Sequence, residues 1–299
     1  MAESQALGTI RRRAAASRAS AGRWRGLWQR LRRGKGAIAG LVILAVLVVL
    51  ALAAPLIAPF DPIKVSNDAL FSPGVPYYLG SDQYGRDIFS RILYGARISL
   101  IIGLISVGIA ASLGVTIGLV AGYYGRWVDS LLMWVINVML AVPGILLALA
   151  IVTIRGTPSL TNLMIAVGIA GVPTYARLVR GSVLAAKENL YVDAARVVGA
   201  PTRTILVRHL LPNVIAPVIV AATLGTGTAI LAAEALSFLG LGSQPPSPEW
   251  GRMLSEGRAY LRDQWWISTF PGLAIMLTVL AMNLLGDGLR DALDPRLKV

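Results

Sequence analysis

Ionisable residues in this chain fall into clusters separated by long apolar intervals. Six stretches carry no Asp, Glu, Lys or Arg: 36–60, 98–125, 130–154, 156–176, 209–233 and 264–286, each at least 21 residues long and mostly Leu, Ile, Val, Ala and Gly. A helix rises about 1.5 Å per residue, so about 20 residues cross roughly 30 Å of hydrocarbon. Each stretch therefore predicts a membrane-crossing helix. The charge-free stretch 235–248 is shorter and holds Gly240, Gly242, Pro245, Pro246 and Pro248, which predicts a loop. A membrane barrel would show short alternating strands, and no such alternation runs through the chain. The pattern is that of an all-α membrane protein, a six-span polytopic helical bundle.

Composition agrees: the chain is 56% apolar and 14% charged, outside the range of soluble domains. Charge then orients the bundle. With the N-terminus inside, six crossings return the C-terminus inside, and the inner segments hold 20 of the 28 basic and 7 of the 15 acidic residues. The formal excess of +13 lies wholly on that side. Topology accounts for the positive charge, and no nucleic-acid motif accompanies it. The first apolar run is too long for a cleaved signal sequence and ends at Pro55, Pro59 and Pro62, so it reads as an uncleaved span. The chain has no Cys and one His, which leaves no disulfide and no Cys- or His-based metal cluster.

The chain divides into a basic leader (1–35), a first span (36–60), an outer segment with an amphipathic helix (61–97), a five-span core (98–286) that includes an inner connection (177–212), and a tail (287–299). In the leader, Trp24, Leu27, Trp28 and Leu31 share a helical face. That suits either a helix on the inner membrane surface or a plain positive flank. From Asp87 onward, Ile88, Ile92 and Leu93 repeat at helical spacing, and the charges of this segment are expected to snorkel at the outer boundary. The segment is either a packing and partner-contact element or an interfacial anchor. Gly103, Ser106, Gly108, Ala111, Gly114 and Gly118 permit close helix contact. Span three carries Pro143-Gly144 and span four Pro173, each expected to kink its helix. Span five is placed at about 213–233, with Glu234 in the following outer loop, and Trp250, Trp265 and Trp266 are expected at the outer interface. In the inner connection, Tyr191 to Val198 predicts a short helix with Tyr191, Ala194, Ala195 and Val198 on one side, stopped by Gly199 and Pro201.

That connection resembles a known signature. Asp193-Ala194-Ala195, Gly199 and Leu211-Pro212 keep the spacing of the cytoplasmic motif of permease subunits in binding-protein-dependent ABC importers: Glu-Ala-Ala, three residues, Gly, nine residues, Ile, one residue, Leu-Pro. Asp193 stands where Glu is commoner, and His209 stands at the Ile position. Asp82, Gly85, Arg86, Asp87, Ser90, Arg91, Gly95 and Arg97 resemble the start of span two in the second-type permease of dipeptide and oligopeptide transporters, a group that includes nickel and glutathione importers. The run Phe238–Gly242, and the ending Leu285–Asp291 with Asp294-Pro295-Arg296, resemble that group's outer loop and C-terminus.

The resemblance implies a type I ABC importer transmembrane fold in a bacterial cytoplasmic membrane. It implies as partners a homologous second permease, two ABC ATPase subunits that use ATP and Mg, and an extracytoplasmic solute-binding protein that delivers peptide. Tyr191, Asp193, Ala194, Ala195, Val198, Gly199, Leu211 and Pro212 would then couple to the ATPases. The chain has no Gly-rich loop with Lys and Ser or Thr for phosphate, so it is expected to bind no cofactor and to catalyse nothing. Candidate polar groups along a pathway are Asn137, Asn162, Thr223, Thr226, Thr228 and Asn283, whose other reading is ordinary interhelical hydrogen bonding. No apolar stretch holds a charge near its middle, so the walls are expected to be uncharged. A secondary transporter with six spans is the rival reading. It would carry an inverted repeat or a buried carboxylate, and neither is clear.

Overall fold

The computed structural model describes residues 31–32 and 34–293, so Trp24, Leu27 and Trp28 of the leader and the ending Asp294-Pro295-Arg296 lie outside it. Among the described residues the regular structure is helical, apart from an isolated bridge between Ser81 and Asp87. In order the main helices are α1 (Lys35–Ile57), α2 (Ile88–Tyr124), α3 (Arg126–Ala141), α4 (Gly144–Ile154), α5 (Leu160–Ala186), α6 (Leu190–Val197), α7 (Thr202–Phe238), α8 (Trp250–Gly257) and α9 (Trp266–Leu293). Helices α1, α2, α5, α7 and α9 are long and apolar enough to cross a membrane, and α3 with α4 makes a sixth crossing if the pair is taken as one.

The centre of the bundle is the contact between α2 and α5. Gly114, Gly118 and Gly122 recur every four residues on one stripe of α2, where Tyr175, Ala176, Val179 and Val183 of α5 approach. A Cβ added to Gly118 would lie 2.6 Å from the Ala176 carbonyl oxygen and 2.8 Å from Val179 Cβ. Ser106 Oγ ties the same pair, donating to Met164 O at 3.1 Å. Gly108, expected among these small contacts, is exposed, and a Cβ added there would meet nothing within 4 Å. Gly108 is off the stripe and faces outward, where close approach has no object.

Helix α7 closes the other side of α2, with Gly103 beneath Ile230 and Thr226. Helix α1 lies at the periphery. It touches α9 through Gly40 against Ala281 and Leu284, while Val42, Val46, Val49, Leu52 and Leu56 are exposed, as lipid-facing residues are.

Two prolines behave differently. Pro173 sits inside a continuous α5 and is buried, whereas at Pro143 the expected kink is a break, with α3 and α4 bent by 94°. Val142 is extended, as residues before proline tend to be, and Pro143 O accepts from Leu146 and Leu147 to start a new helix. The difference lies in packing: α5 is pinned along α2, but α3 buries only Ile136, so nothing holds it straight.

Span boundaries also shift. Helix α5 runs on to Ala186 and so carries Arg177 and Arg180, which sequence placed in the connection. Helix α7 starts early, through a π-helical turn at Ile205–Leu210, and ends late, so Glu234 is a buried helix residue, not a loop residue. Trp250 and Trp266 are core residues 1% and 7% exposed; of the three tryptophans expected at the outer interface, Trp265 is the one at the surface, 50% exposed. A charge marks the end of an apolar run but not the end of a helix, because a paired charge is compatible with helix interior.

Gly118→Leu should destabilise the protein by at least about 1–3 kcal/mol through overpacking against backbone that cannot yield. Gly108→Leu should be close to neutral. Thermal unfolding of the two variants in detergent, followed by circular dichroism, measures the contrast.

Candidate functional site

The starts of α1, α3 and α7 and the ends of α2, α5 and α9 gather at one end of the bundle, the basic end. There Arg180 of α5 grips Asp129 of α3, donating from Nε to Oδ1 at 2.5 Å and from Nη2 to Oδ2 at 2.6 Å. Lys187 Nζ donates to Gly122 O at 3.2 Å, placing a cation at the carbonyl end of α2.

From this end hangs α6. It ends in a Schellman turn: Ala200 N–H donates to Ala195 O and Gly199 N–H to Arg196 O, both at 3.0 Å, with Gly199 at φ +76°. Gly199 is therefore set by backbone conformation, since a Cβ there would meet nothing in this chain within 4 Å.

The structure divides the four residues expected on one side of α6. Val192 and Ala195 are buried against Val179, Val183, Ile205 and Leu210, whereas Tyr191, Ala194 and Val198 face outward with Leu190 and Val197. Leu190, Val197 and Val198 are 86%, 87% and 80% exposed. Eight residues with this many apolar positions carry two apolar stripes, and periodicity alone does not say which turns in. Asp193 pairs with its own Arg196 at 3.0 Å, at the surface.

Helix α6 is linked to α7 by Asn213, whose Nδ2 donates to Tyr191 Oη at 3.2 Å and to His209 O at 2.6 Å. His209 belongs to the π-helical turn, which lies directly before Leu211 and Pro212; Pro212 has no N–H to continue an α-helical ladder. Leu211 packs on the same core as Val192.

At the opposite end, the run Asp82 to Arg97 is a clamp. Arg86 and Arg91 do not snorkel; they are 3% and 1% exposed. Arg86 donates from Nε to Asp82 at 2.6 Å and from Nη2 to Glu256 at 2.7 Å. Arg91 stands 3.6 Å from Asp82 and donates to the carbonyls of Pro62, Pro246 and Ser247. Asp87 caps α2, accepting from Ser90 N and Oγ at 2.7 and 2.6 Å. Burial raises the Asp87 carboxyl above the usual carboxylate range, and the hydrogen bonds from Ser90 and Phe89 oppose that rise. Gly85 packs on Ser66, and Gly95 makes room for Trp250, whose Nε1 donates to Ile92 O at 3.1 Å.

Arg97 repairs a helix. Pro55 has no N–H to give the Ala51 carbonyl, and Arg97 Nε donates to that oxygen, with Nη2 donating to Leu52 O at 2.9 Å. Sequence reasoning missed Glu256 and Glu234. Glu234 accepts from Ser99 Oγ and Gly251 N, each at 2.5 Å, and joins α7 to α2 and α8. The only sequence trace of the Glu256 site is its position four residues after Arg252, which donates to it at 3.2 Å.

Between the ends, a cleft of about 500 Å³ opens among α2, α4, α5, α7 and α9, with Ser106, Thr174, Tyr175, Thr228 and Asn283 as its polar lining. Of the six predicted pathway residues the structure brings Thr228 and Asn283 to it. Thr223 and Thr226 bond the carbonyls of Ile219 and Ala222 in their own helix. Asn162 is buried at the head of α5, accepting from Arg155 Nε at 2.6 Å and donating to Thr157. Asn137 accepts from Arg177 Nη2 at 2.8 Å. Among the described residues no group of three or more His, Cys, Asp or Glu is placed to hold a metal.

Known proteins share this architecture and sequence. The family described as binding-protein-dependent transport system inner membrane component matches residues 114–299, and the N-terminal TM domain of oligopeptide transport permease C matches residues 22–77. The dipeptide transport system permease protein DppC of Alkalihalophilus pseudofirmus is 49% identical over 276 residues, 92% of this chain and 90% of that protein. The di/tripeptide transport system permease protein DppC of Pseudomonas aeruginosa is 48% identical, covering 91% of each chain. The glutathione transport system permease protein GsiD of Pectobacterium atrosepticum is 47% identical, covering 92% of each. Among solved structures, an inward-facing MetNI methionine ABC transporter matches with a TM-score of 0.55 over 68% of this chain and 97% of that one. At 18% identity, that likeness shows the fold alone.

Arg86→Met leaves Asp82 and Glu256 buried with less positive charge and should cost about 3–5 kcal/mol of stability. Arg196→Met removes a surface pair and should cost no more than about 1 kcal/mol. Denaturant unfolding in detergent separates the two.

Proposed function

The chain belongs to the binding-protein-dependent transport system inner membrane component family, and on that premise we propose that it is a permease subunit of an ATP-driven importer of dipeptides or oligopeptides. It works beside a homologous second permease, with two ABC ATPase subunits beneath and an extracytoplasmic binding protein that delivers solute. The basic end is the cytoplasmic end, since Lys and Arg accumulate there, and both termini lie on that side.

The observation that carries this reading is α6. A short helix, fixed to the bundle by Val192 and Ala195, holds Leu190, Tyr191, Ala194, Val197 and Val198 out into what would be water. Exposed apolar side chains grouped on so small an element fit a cleft on a partner. The ATPase surface is that partner, and Asp193 and Arg196 border the contact. Motion of the ATPases is passed on by two routes: through α5, which leads into α6, and through Tyr191 and Asn213 to the π-helical turn at the foot of α7. Those helices wall the central cleft. Nucleotide then shifts a two-state equilibrium to the extent that each state binds the ATPases differently.

Glutathione is the second reading for the solute, favoured by a relative named for glutathione transport that is 47% identical, against 49% for one named for dipeptides. Uptake into vesicles holding the whole complex, offered dipeptides, longer peptides, glutathione and nickel with and without ATP, decides among them. Peptide uptake driven by ATP is the expected result, and uptake of nickel alone would overturn it.

Val197→Asp should abolish ATP-dependent uptake and co-purification of the ATPases while the protein still inserts and melts normally. Gly199→Val forces a β-branched residue to φ +76° and should abolish uptake as well. Pull-down and vesicle uptake read both effects, and full uptake by either variant would refute the assignment of α6.

A further inference from the structure

Just beyond the uncharged lining of the cleft, α5 carries a charge, Arg177. Arg177 lies within α5, three residues beyond Thr174 of the cleft lining, and residues at that spacing are neighbours on one helix face. It is exposed, and among the described residues its hydrogen bond is the 2.8 Å contact from Nη2 to Asn137 Oδ1. No carboxylate lies within 4.0 Å of it among the described residues, whereas Arg180, one turn on, has Asp129 at 2.5 Å.

The direction of the side chain is informative. Arg180–Asp129 marks a level near the basic end. From that level Arg177 is three residues, about 4.5 Å, towards the cleft, and Asn137 is eight residues, about 12 Å, in the same direction on antiparallel α3. Arg177 therefore reaches inward along the bundle, away from the basic end where a snorkelling arginine would turn. Asn137 lies in turn below the Pro143-Gly144 break, and Gly144 and Ile145 line the cleft.

An arginine at this depth is costly against lipid and is kept where it faces water or a partner group. Here its neighbour is a neutral amide, which orients the guanidinium without cancelling its charge. Most of the five N–H donors remain open, and Asn137 Nδ2 makes no hydrogen bond among the described residues. The two side chains thus present a planar cationic fork and an amide donor side by side, which is the geometry that takes a carboxylate through two parallel bonds.

We propose that Arg177, held by Asn137, receives the terminal carboxylate of the peptide as it leaves the central cleft towards the basic end. The proposal rests on the peptide-importer reading above. It adds a specificity-determining residue: a solute with a free carboxylate is drawn past the cleft, and the same solute with that group amidated is not.

The test uses the whole reconstituted complex with its binding protein, and a dipeptide supplied as the free acid or as the C-terminal amide. Concentrations are set so that the binding protein is equally occupied by each, which removes its own preference. Wild type should take up the acid faster than the amide by roughly tenfold or more, the scale of one charge-assisted contact. Arg177→Gln should bring the acid-to-amide ratio close to one, and Arg177→Lys should retain an intermediate ratio. An unchanged ratio in Arg177→Gln overturns the proposal, as does a parallel loss for both peptides or loss of the second permease on purification, since these mark a structural, lipid or subunit contact. If wild type distinguishes the two peptides by less than twofold, the proposal also falls. If wild type imports neither peptide with ATP, the importer reading itself fails and takes the Arg177 assignment with it.

Discussion

Helices α2 and α5 meet along glycines, and in a bilayer nothing substitutes for that contact. Hydrophobic burial offers little between helices whose alternative surroundings are lipid tails, so association relies on closeness of backbone and on interhelical hydrogen bonds. Gly114, Gly118 and Gly122 supply the closeness, and Ser106 donating to Met164 O supplies the bond. The rest hangs from this seam. Its lower end holds Lys187 at the Gly122 carbonyl and leads straight into α6; its middle presents Ser106, Thr174 and Tyr175 to the cleft.

The two ends of the bundle are built in different ways. The far end is locked by buried ion pairs, Arg86 and Arg91 with Asp82 and Glu256, and by Glu234 joining α7 to α2 and α8. Buried pairs contribute little net stability over apolar packing, but they are strongly selective for one arrangement because any rearrangement strands a charge. The basic end has surface pairs, a short helix with an uncovered side and a π-helical turn at the foot of α7. Under the coupling role proposed for α6, the element that is pushed lies at the second kind of end.

Much of this was legible in the chain. Charge-free intervals of 21 residues or more coincide with the five long apolar helices and with the bent pair α3 and α4, because the cost of a charge in hydrocarbon acts on sequence directly. The position of α6 and its stop at Gly199 were also readable, since a left-handed turn needs a residue without Cβ. Helix ends were not, because hydrogen bonds or an ion pair remove the penalty that marks them: Glu234 accepts from Ser99 and Gly251, and Arg180 pairs with Asp129. The burial of Arg86 and Arg91 was equally hidden. Their partner Glu256 lies 170 residues from Arg86, and local periodicity carries no information at that range. The inward face of α6 needed Ile205 and Leu210 in place before either apolar stripe was preferred.

Pro143 and Pro173 show why a motif in a membrane helix has no meaning apart from its neighbours. Each removes one N–H and crowds the preceding turn. At Pro173 the flanking Val172 and Ala176 are buried against α2 and against Ile136, so straightness is enforced from outside and the helix continues. At Pro143 the helix on the N-terminal side has one buried residue, and the chain turns through 94°. The turn lays α4 against the cleft, bringing Gly144, Ile145 and Ala148 to its wall, and leaves Asn137 near the end of a lightly held α3. Asn137 lies on that lightly held helix, where Arg177 Nη2 donates to it, so the break and the Arg177–Asn137 contact both belong to one sparse interface.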